Sequence, residues 1–365
     1  MTELNITGLR LANQKLSTST FKSPAEVVSW LGAVQAQDYA GAKWAVALRA
    51  PGLTDSDIEQ AFTDGKILRT HVMRPTWHFV LPEDIRWMLE LTAPRVLAAI
   101  AYMDRQLGLD KAIIKRSNAI LAKALQGGNQ LTRAELGSIL QRSRVNTDDL
   151  RLGHLLSHAE VDGIICSGGR RGKQFTYALI DERAPRARTL KRDEALAELT
   201  RRYFVSHGPA TVQDFVWWSG LTTADARNGL EMNKSRLIQE TANGQTYCLA
   251  DSIPFKKVKS PEAFLLSNYD EYTVSYTDRS AIFDVAHTDK LDSRGNILFQ
   301  YVIVLDGQIV GMWKRTLKKN EVVVEIFPYT GFTKVEKQAI AAAADRFGNF
   351  LGLPLSLAYV ENKNE

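Results

Sequence analysis

Two glutamines one residue apart, Gln35 and Gln37, lie in the segment Leu31-Gly-Ala-Val-Gln-Ala-Gln-Asp-Tyr-Ala40. A glutamine amide offers two donors and an acceptor and does not ionise. The pair therefore cannot do ordinary acid–base work, but it can hold a water, a base or a sugar by hydrogen bonds. On a helix, residues i and i+2 face away from each other. The two amides share a site only if the backbone there is extended or has left the helix; otherwise they are solvated amides at a helix end. Asp38, next along, reads as a carboxylate at the start of a loop. Downstream, His71-Val-Met-Arg-Pro-Thr-Trp-His78 supplies a cation and an imidazole, Arg74 and His78. Pro75 favours extended or turning backbone, and on a strand Arg74, Thr76 and His78 would share one face. Trp77 is expected in the core.

Other reactive side chains point elsewhere. Asp270 and Glu271 are adjacent carboxylates, a combination that can bind a metal or act as acid and base. No third carboxylate follows at ligand spacing, so a structural role is expected, with Asp270 orienting a basic residue. His154 and His158 have the i, i+4 spacing of a helical metal pair but lack the glutamate of a zincin motif, and no metal is expected there. Walker, dinucleotide-binding and nucleophile-elbow motifs are absent.

The bulk properties set bounds. A chain of 365 residues is too long for one small core and suggests two or three domains. Its 45% hydrophobic and 24% charged content is that of a soluble globular protein. No run reaches the roughly 18 apolar residues of a membrane span, and the N-terminus lacks the basic-then-apolar pattern of a signal peptide. The cysteines are Cys166 and Cys248, which suggests a reduced, cytoplasmic setting. The net charge of +5 hints at an anionic partner. Its distribution says more. Residues 167–174 carry Arg170, Arg171 and Lys173 with no acid, and residues 314–319 carry Lys314, Arg315, Lys318 and Lys319 with none. Both runs are expected at loops or strand ends, where a duplex backbone could be touched.

Helix starts are marked by capping boxes, a hydroxyl followed three residues later by a carboxylate. They occur at Ser23/Glu26, Thr54/Asp57, Thr132/Glu135, Thr211/Asp214 and Thr222/Asp225. The spacing predicts helices over 118–126, 132–141 and 148–161, then strands 163–167 and 174–179 joined by the basic turn. Three helices and a hairpin make a winged helix, a helix-turn-helix variant. The plan repeats with helices 193–206, 211–219 and 222–232 and a hairpin over Asn243-Gly244; Trp217 and Trp218 are expected to fill its core. A less regular version has helices 24–34 and 54–64 and strands near 67–80. Residues 183–192 are the best linker candidate. Strands 297–305, 308–316 and 321–328 and a helix 333–347 close the chain. The expected fold is thus α+β and mainly helical, with tandem winged-helix domains and a C-terminal β-meander and helix. The expected domains are 1–115 with the Gln-x-Gln motif, 116–185, and 186–365 with the C-terminal elaboration.

Several separated motifs in order are more specific than one tripeptide. Arg10-Leu-Ala-Asn-Gln14, Val34-Gln-Ala-Gln-Asp-Tyr-Ala40, Trp44-Ala-Val-Ala-Leu-Arg49, His71–His78, Asn268–Arg279 and Gly311-Met-Trp-Lys-Arg315 together resemble the winged-helix DNA glycosylases of the AlkZ and YcaQ type. The resemblance runs from about residue 9 to about residue 359, and Gln-x-Gln places the chain in the AlkZ-like branch. It implies three winged-helix units around a basic groove, and a monofunctional glycosylase that hydrolyses the N-glycosidic bond of alkylated purines in double-stranded DNA. Bulky N7-alkylguanine adducts and interstrand crosslinks are within that scope. A base alkylated at a ring nitrogen is cationic and leaves without a strong acid, so the enzyme must place a water and stabilise the sugar. On that reading Gln35, Gln37 and His78 are catalytic. Arg74, Arg170, Arg171, Lys173, Lys314, Arg315, Lys318 and Lys319 contact DNA. No cofactor, metal or membrane is required, and a monomer is expected. Lys43, the lysine nearest the motif, is expected at the surface and not as a Schiff-base nucleophile. The alternatives are a non-catalytic winged-helix regulator and a module that sequesters a DNA-damaging metabolite.

Overall fold

The computed structural model describes residues 4–251, 260–291 and 296–360. The chain begins with α1 (Ile6–Asn13), α2 (Pro24–Leu31), β1 (Val34–Gln35), α3 (Tyr39–Leu48), α4 (Asp55–Thr63), β2 (Leu68–His71) and β3 (Trp77–Val80). A long helix, α5 (Ile85–Gln106), leads to α6 (Lys111–Leu125), β4 (Leu131–Thr132), α7 (Arg133–Arg142), α8 (Arg151–Val161), β5 (Ile165–Ser167) and β6 (Thr176–Leu179). Then come α9 (Ile180–Arg183), α10 (Arg192–His207), α11 (Val212–Ser219), α12 (Thr223–Met232), β7 (Leu237–Ala242) and β8 (Gln245–Ala250). The last part holds β9 (Ala263–Leu266), α13 (Glu271–Val274), β10 (Val302–Leu305), β11 (Gln308–Leu317), β12 (Val322–Pro328), α14 (Lys334–Leu351) and β13 (Leu355–Tyr359). The architecture is mixed α and β. Among the described residues, no helix is long and apolar enough to cross a membrane.

All five expected capping boxes form, at α2, α4, α7, α11 and α12. Each satisfies two backbone donors that the first helical turn leaves unpaired, and an N-cap is worth about 1 kcal/mol. The Asn243-Gly244 hairpin also forms, with both residues at positive φ, as a tight primed turn requires. The sequence pattern missed α1, α3 and α5, which start without a capping box, and the flanking strands β9 and β13. It also ran β10 too far back: residues 297–299 are a 3-10 turn.

Three apolar clusters hold the chain. One joins α2, α3 and α4 to the five-stranded sheet β13-β12-β11-β10-β9. Trp44 anchors it: its ring meets Phe347 and Phe350 at 5.1 Å, and its indole N–H donates to Leu265 O at 2.6 Å. The second gathers α10, α11 and α12 with β2 and the start of α5. The third lies within residues 109–165. Residues 183–192 are not a free linker. Arg183 donates to Phe62 O and Thr63 O, Arg188 pairs with buried Asp84, and the Arg188 amide bonds Glu83 O at 2.9 Å.

Candidate functional site

The helix before the glutamines stops at Gly32, whose φ is +81°. Gln35 is then in β1, paired in register with His78 of β3, and the segment up to Asp38 is not helical. The backbone here is pinned. Gln35 N donates to Glu271 Oε1 at 2.8 Å. Ala36 N donates to Trp77 O at 2.7 Å, and Ala36 O accepts from Arg69 Nε at 3.0 Å. The backbone has left the helix between the two glutamines, which meets the condition under which the two amides share a site. Asp38 then caps α3, accepting from Gly41 N at 3.0 Å and from the Tyr301 hydroxyl; it is structural.

The side chains follow. Arg74 Nη2 donates to Gln35 Oε1 at 3.1 Å. Trp77 N approaches Gln37 Oε1 at 3.4 Å, a weaker contact. A guanidinium has only donors, so it faces the oxygen of Gln35 and leaves the NH₂ to point away. Gln35 is buried and Gln37 exposed. His78 is fully buried, with Nδ1 at 3.0 Å from Thr76 O. Burial, and then the Arg74 charge, push its pKa down to about 3, so the imidazole is neutral. Its Nδ1 is the donor to the carbonyl, and Nε2 keeps its lone pair, without a protein partner.

One expectation about this segment is corrected. Arg74, Thr76 and His78 do not share a strand face, because β3 starts only at Trp77 and residues 72–76 form a turn. Met73 there has φ +65°, and Gly220 at the end of α11 packs against it: a Cβ at Gly220 would lie 2.3 Å from Met73 O. Contact with α11, not strand pleating, aims Arg74 at Gln35.

Glu271 was missed as a site residue. It is fully buried and, besides Gln35 N, its carboxylate accepts from Trp218 Nε1 at 3.0 Å and Ser275 Oγ at 2.5 Å. His207 Nε2 stands 3.5 Å away, near enough for attraction but too long for a well-formed hydrogen bond. Burial alone would raise this carboxyl; nearby His207, Ser275 and the Gln35 amide outweigh it and hold the pKa at about 2. Its neighbour Asp270 does what the sequence suggested, orienting a basic residue: it binds Arg49 through two bonds of 2.8 and 2.9 Å. Arg49 in turn donates to Gln14 Oε1 at 2.9 Å, and Gln14 Nε2 to Tyr276 OH at 2.9 Å. The adjacent carboxylates were legible in the sequence, but not the link from Glu271 to Gln35: its partners at residues 35 and 218 are distant in the chain.

The basic residues divide. Arg170 is turned inward, against the expectation of a solvent-facing wing. It pairs with Glu59 at 3.2 Å and lies 5.2 and 5.4 Å from the Tyr39 and Phe175 rings. Arg69 continues the stack between Phe175 and Trp77, at 4.6 and 4.2 Å, so the 168–175 turn is tied to the strand beside Gln37. Arg171 is exposed and pairs with Glu135 at 2.8 Å, whereas Lys173 is exposed and has no ion-pair partner among the described residues. Lys314 and Arg315 lie inside β11, not at its end, against Phe327 and Tyr301 respectively. Lys318 pairs with Glu321 at 2.7 Å, and Lys319 is exposed in the β11–β12 turn.

Lys43 is buried, not at the surface, and held at 2.8 Å by both Asp55 and Glu59. His154 and His158 both bind Asp104, at 2.7 and 3.0 Å; among the described residues no cluster is placed to hold a metal ion. Trp218 fills the core, but Trp217 is 39% exposed.

Comparison with known proteins agrees across nearly the whole chain. A family model described as DNA glycosylase AlkZ-like matches residues 28–350, which contain both glutamines. A Streptomyces sahachiroi protein named interstrand DNA cross-link repair glycosylase is 26% identical over 359 residues, covering 92% of this chain and 94% of that one. The solved structure of Streptomyces sahachiroi DNA glycosylase AlkZ is similar in fold, with a TM-score of 0.80 at 23% identity over 97% of this chain and 98% of that one.

Proposed function

Because the chain belongs to the AlkZ-like DNA glycosylase family, we propose that it hydrolyses the N-glycosidic bond of alkylated purines in double-stranded DNA, as a monofunctional enzyme acting in the cytoplasm. The observation that carries this reading is the non-helical Gln35-Ala36-Gln37 segment, pinned through Gln35 N, Ala36 N and Ala36 O and flanked by neutral His78. Such a site has no strong acid at neutral pH, and a cationic alkylated base needs none to depart. What it needs is an ordered water near C1′ and polar groups that stabilise an oxocarbenium-like sugar. The Gln35 and Gln37 amides hold that water; in the free chain Gln35 presents its NH₂, because its Oε1 is bonded to Arg74. His78 Nε2, an unpartnered acceptor, supports it.

We read α6, β4, α7, α8 and the β5–β6 hairpin as a winged helix, and α10, α11, α12 with the β7–β8 hairpin as another. Domains at 1–115, 116–185 and 186–365 go with this, the N-terminal one holding the glutamines. Arg171, Lys173 and the 314–319 segment supply phosphate contacts, and Arg170 supports the wing from inside. The relative named for interstrand cross-link repair supports bulky N7-alkylguanine adducts or crosslinks as substrates, taken by a monomer.

The deciding experiment is single-turnover incubation with duplex DNA bearing N7-alkylguanine. Free alkylated base should be released, equally in EDTA, because departure of a cationic base requires no metal. Borohydride should trap no protein–DNA adduct, since the Lys43 ammonium group is buried and engaged by Asp55 and Glu59. Binding without base release would leave a DNA-binding protein and overturn the enzyme.

A further inference from the structure

Trp217 is the exposed aromatic of the candidate site. Its indole N–H is tied to Val274 O at 2.7 Å, so the ring is held in place while 39% of the residue meets solvent. Two guanidinium groups rest against it. Arg74 comes from the turn beside Gln35, with its central carbon 5.6 Å from the ring centre. Arg279 comes from the segment after α13, at 5.8 Å.

Both arginines are under-partnered. Neither makes an ion pair among the described residues, and each keeps a buried N–H without an acceptor, Nε of Arg74 and Nη2 of Arg279. The nearby carboxylates are spent elsewhere. Glu271 serves Gln35 N, Trp218 and Ser275, and Asp214 serves Thr211 N, Thr277 N and the Thr277 hydroxyl. The two cations also repel each other. Two like charges gathered on one aromatic ring, with donors unused, are costly unless an anion joins them. Arginine forks match phosphate oxygens in charge and in geometry.

We propose that Arg74 and Arg279, backed by Trp217, clamp a phosphodiester of the bound DNA strand beside Gln35. This deepens the glycosylase reading and rests on it for the identity of the anion. It also links binding to the candidate catalytic amide. In the free chain Arg74 caps Gln35 Oε1, and a phosphate that draws the guanidinium away frees that oxygen to accept a hydrogen bond from the water.

The test uses a lesion-free duplex, so that it does not depend on base excision. Arg279→Gln should lower affinity at low salt roughly tenfold, the effect of removing one charge-assisted hydrogen bond. The slope of log affinity against log salt should become shallower by about 0.9. An unchanged slope in folded Arg279→Gln overturns the clamp. Arg279 also donates to Thr273 O and Thr277 O, so a second measurement uses the native side chain. The acrylamide quenching of Trp217, taken as the difference between wild type and Trp217→Phe, should fall when the duplex binds. Quenching that ignores saturating duplex overturns the proposal. If both effects appear but no base is released from alkylated DNA, the clamp stands and the glycosylase reading fails.

Discussion

Around Gln35 the charged groups other than Arg74 and Arg279 are committed to interior partners: Asp270 to Arg49, Arg49 to Gln14, Glu271 to the Gln35 backbone N–H. In the two basic runs the commitment is partial. Arg170 is spent on Glu59 and a stack of rings, Arg171 and Lys318 on surface carboxylates, while Lys173 and Lys319 face solvent. The interior network specifies geometry, because a buried charge left unpaired costs several kcal/mol. The surface runs specify only a field, because exposed pairs contribute about 0–1 kcal/mol and exchange readily for phosphate. Substitutions should therefore change fold and rate in the first region and salt-dependent affinity in the second.

The sharpest contrast is in stability. Asp270→Ala leaves Arg49 buried and uncompensated and should cost about 3–5 kcal/mol. Lys173→Glu should stay within about 0.5 kcal/mol. Urea denaturation of the two variants checks this, and equal midpoints would erase the distinction. Next in size is the rate. Gln37→Ala and Gln35→Ala should each slow base release by roughly 10²-fold, about 2.7 kcal/mol, with duplex affinity nearly unchanged. Wild-type rates in both would remove the glutamines from the chemistry.

A pH titration probes the interior alone. His78 has its pKa depressed from 6.5 to about 3 on folding, so below about pH 6.5 the unfolded chain takes up a proton that the folded chain refuses. Its contribution is therefore present above pH 6.5 and is lost as pH falls toward 3, by up to ~1.4 kcal/mol per unit. Glu271, depressed from 4.5 to about 2, adds a loss only below about pH 4.5. Stability measured between pH 7 and 5 should therefore decline less steeply in His78→Asn than in wild type. Parallel curves would mean that His78 does not stay neutral. The smallest effect is at the turn between β5 and β6. Reversing Arg171 and Lys173 to Glu should weaken binding to all sequences alike and flatten the salt slope by about 0.9 for each phosphate no longer neutralised. Arg170→Glu should in addition lower the melting temperature, because it breaks an internal pair.

The same division governs what could be read from the chain alone. Capping boxes at Thr132, Thr211 and Thr222, the Asn243-Gly244 turn and the apolar spacing of α7 and α8 are local: each needs only residues a few positions apart, and each was legible. So was the condition on Gln35 and Gln37, since helix geometry sets i and i+2 apart whatever the rest of the protein does. Helix α3, by contrast, is nearly all buried, and a helix buried all round loses the alternation that marks one. The partners of Glu271 lie 236 and 53 residues away, and those of Arg170 and Arg74 lie 111 and 39 residues away. Whether a cation faces solvent, an acid or a ring depends on which distant segment packs against it. That choice is made by burial across the whole chain, and no short stretch of sequence carries it.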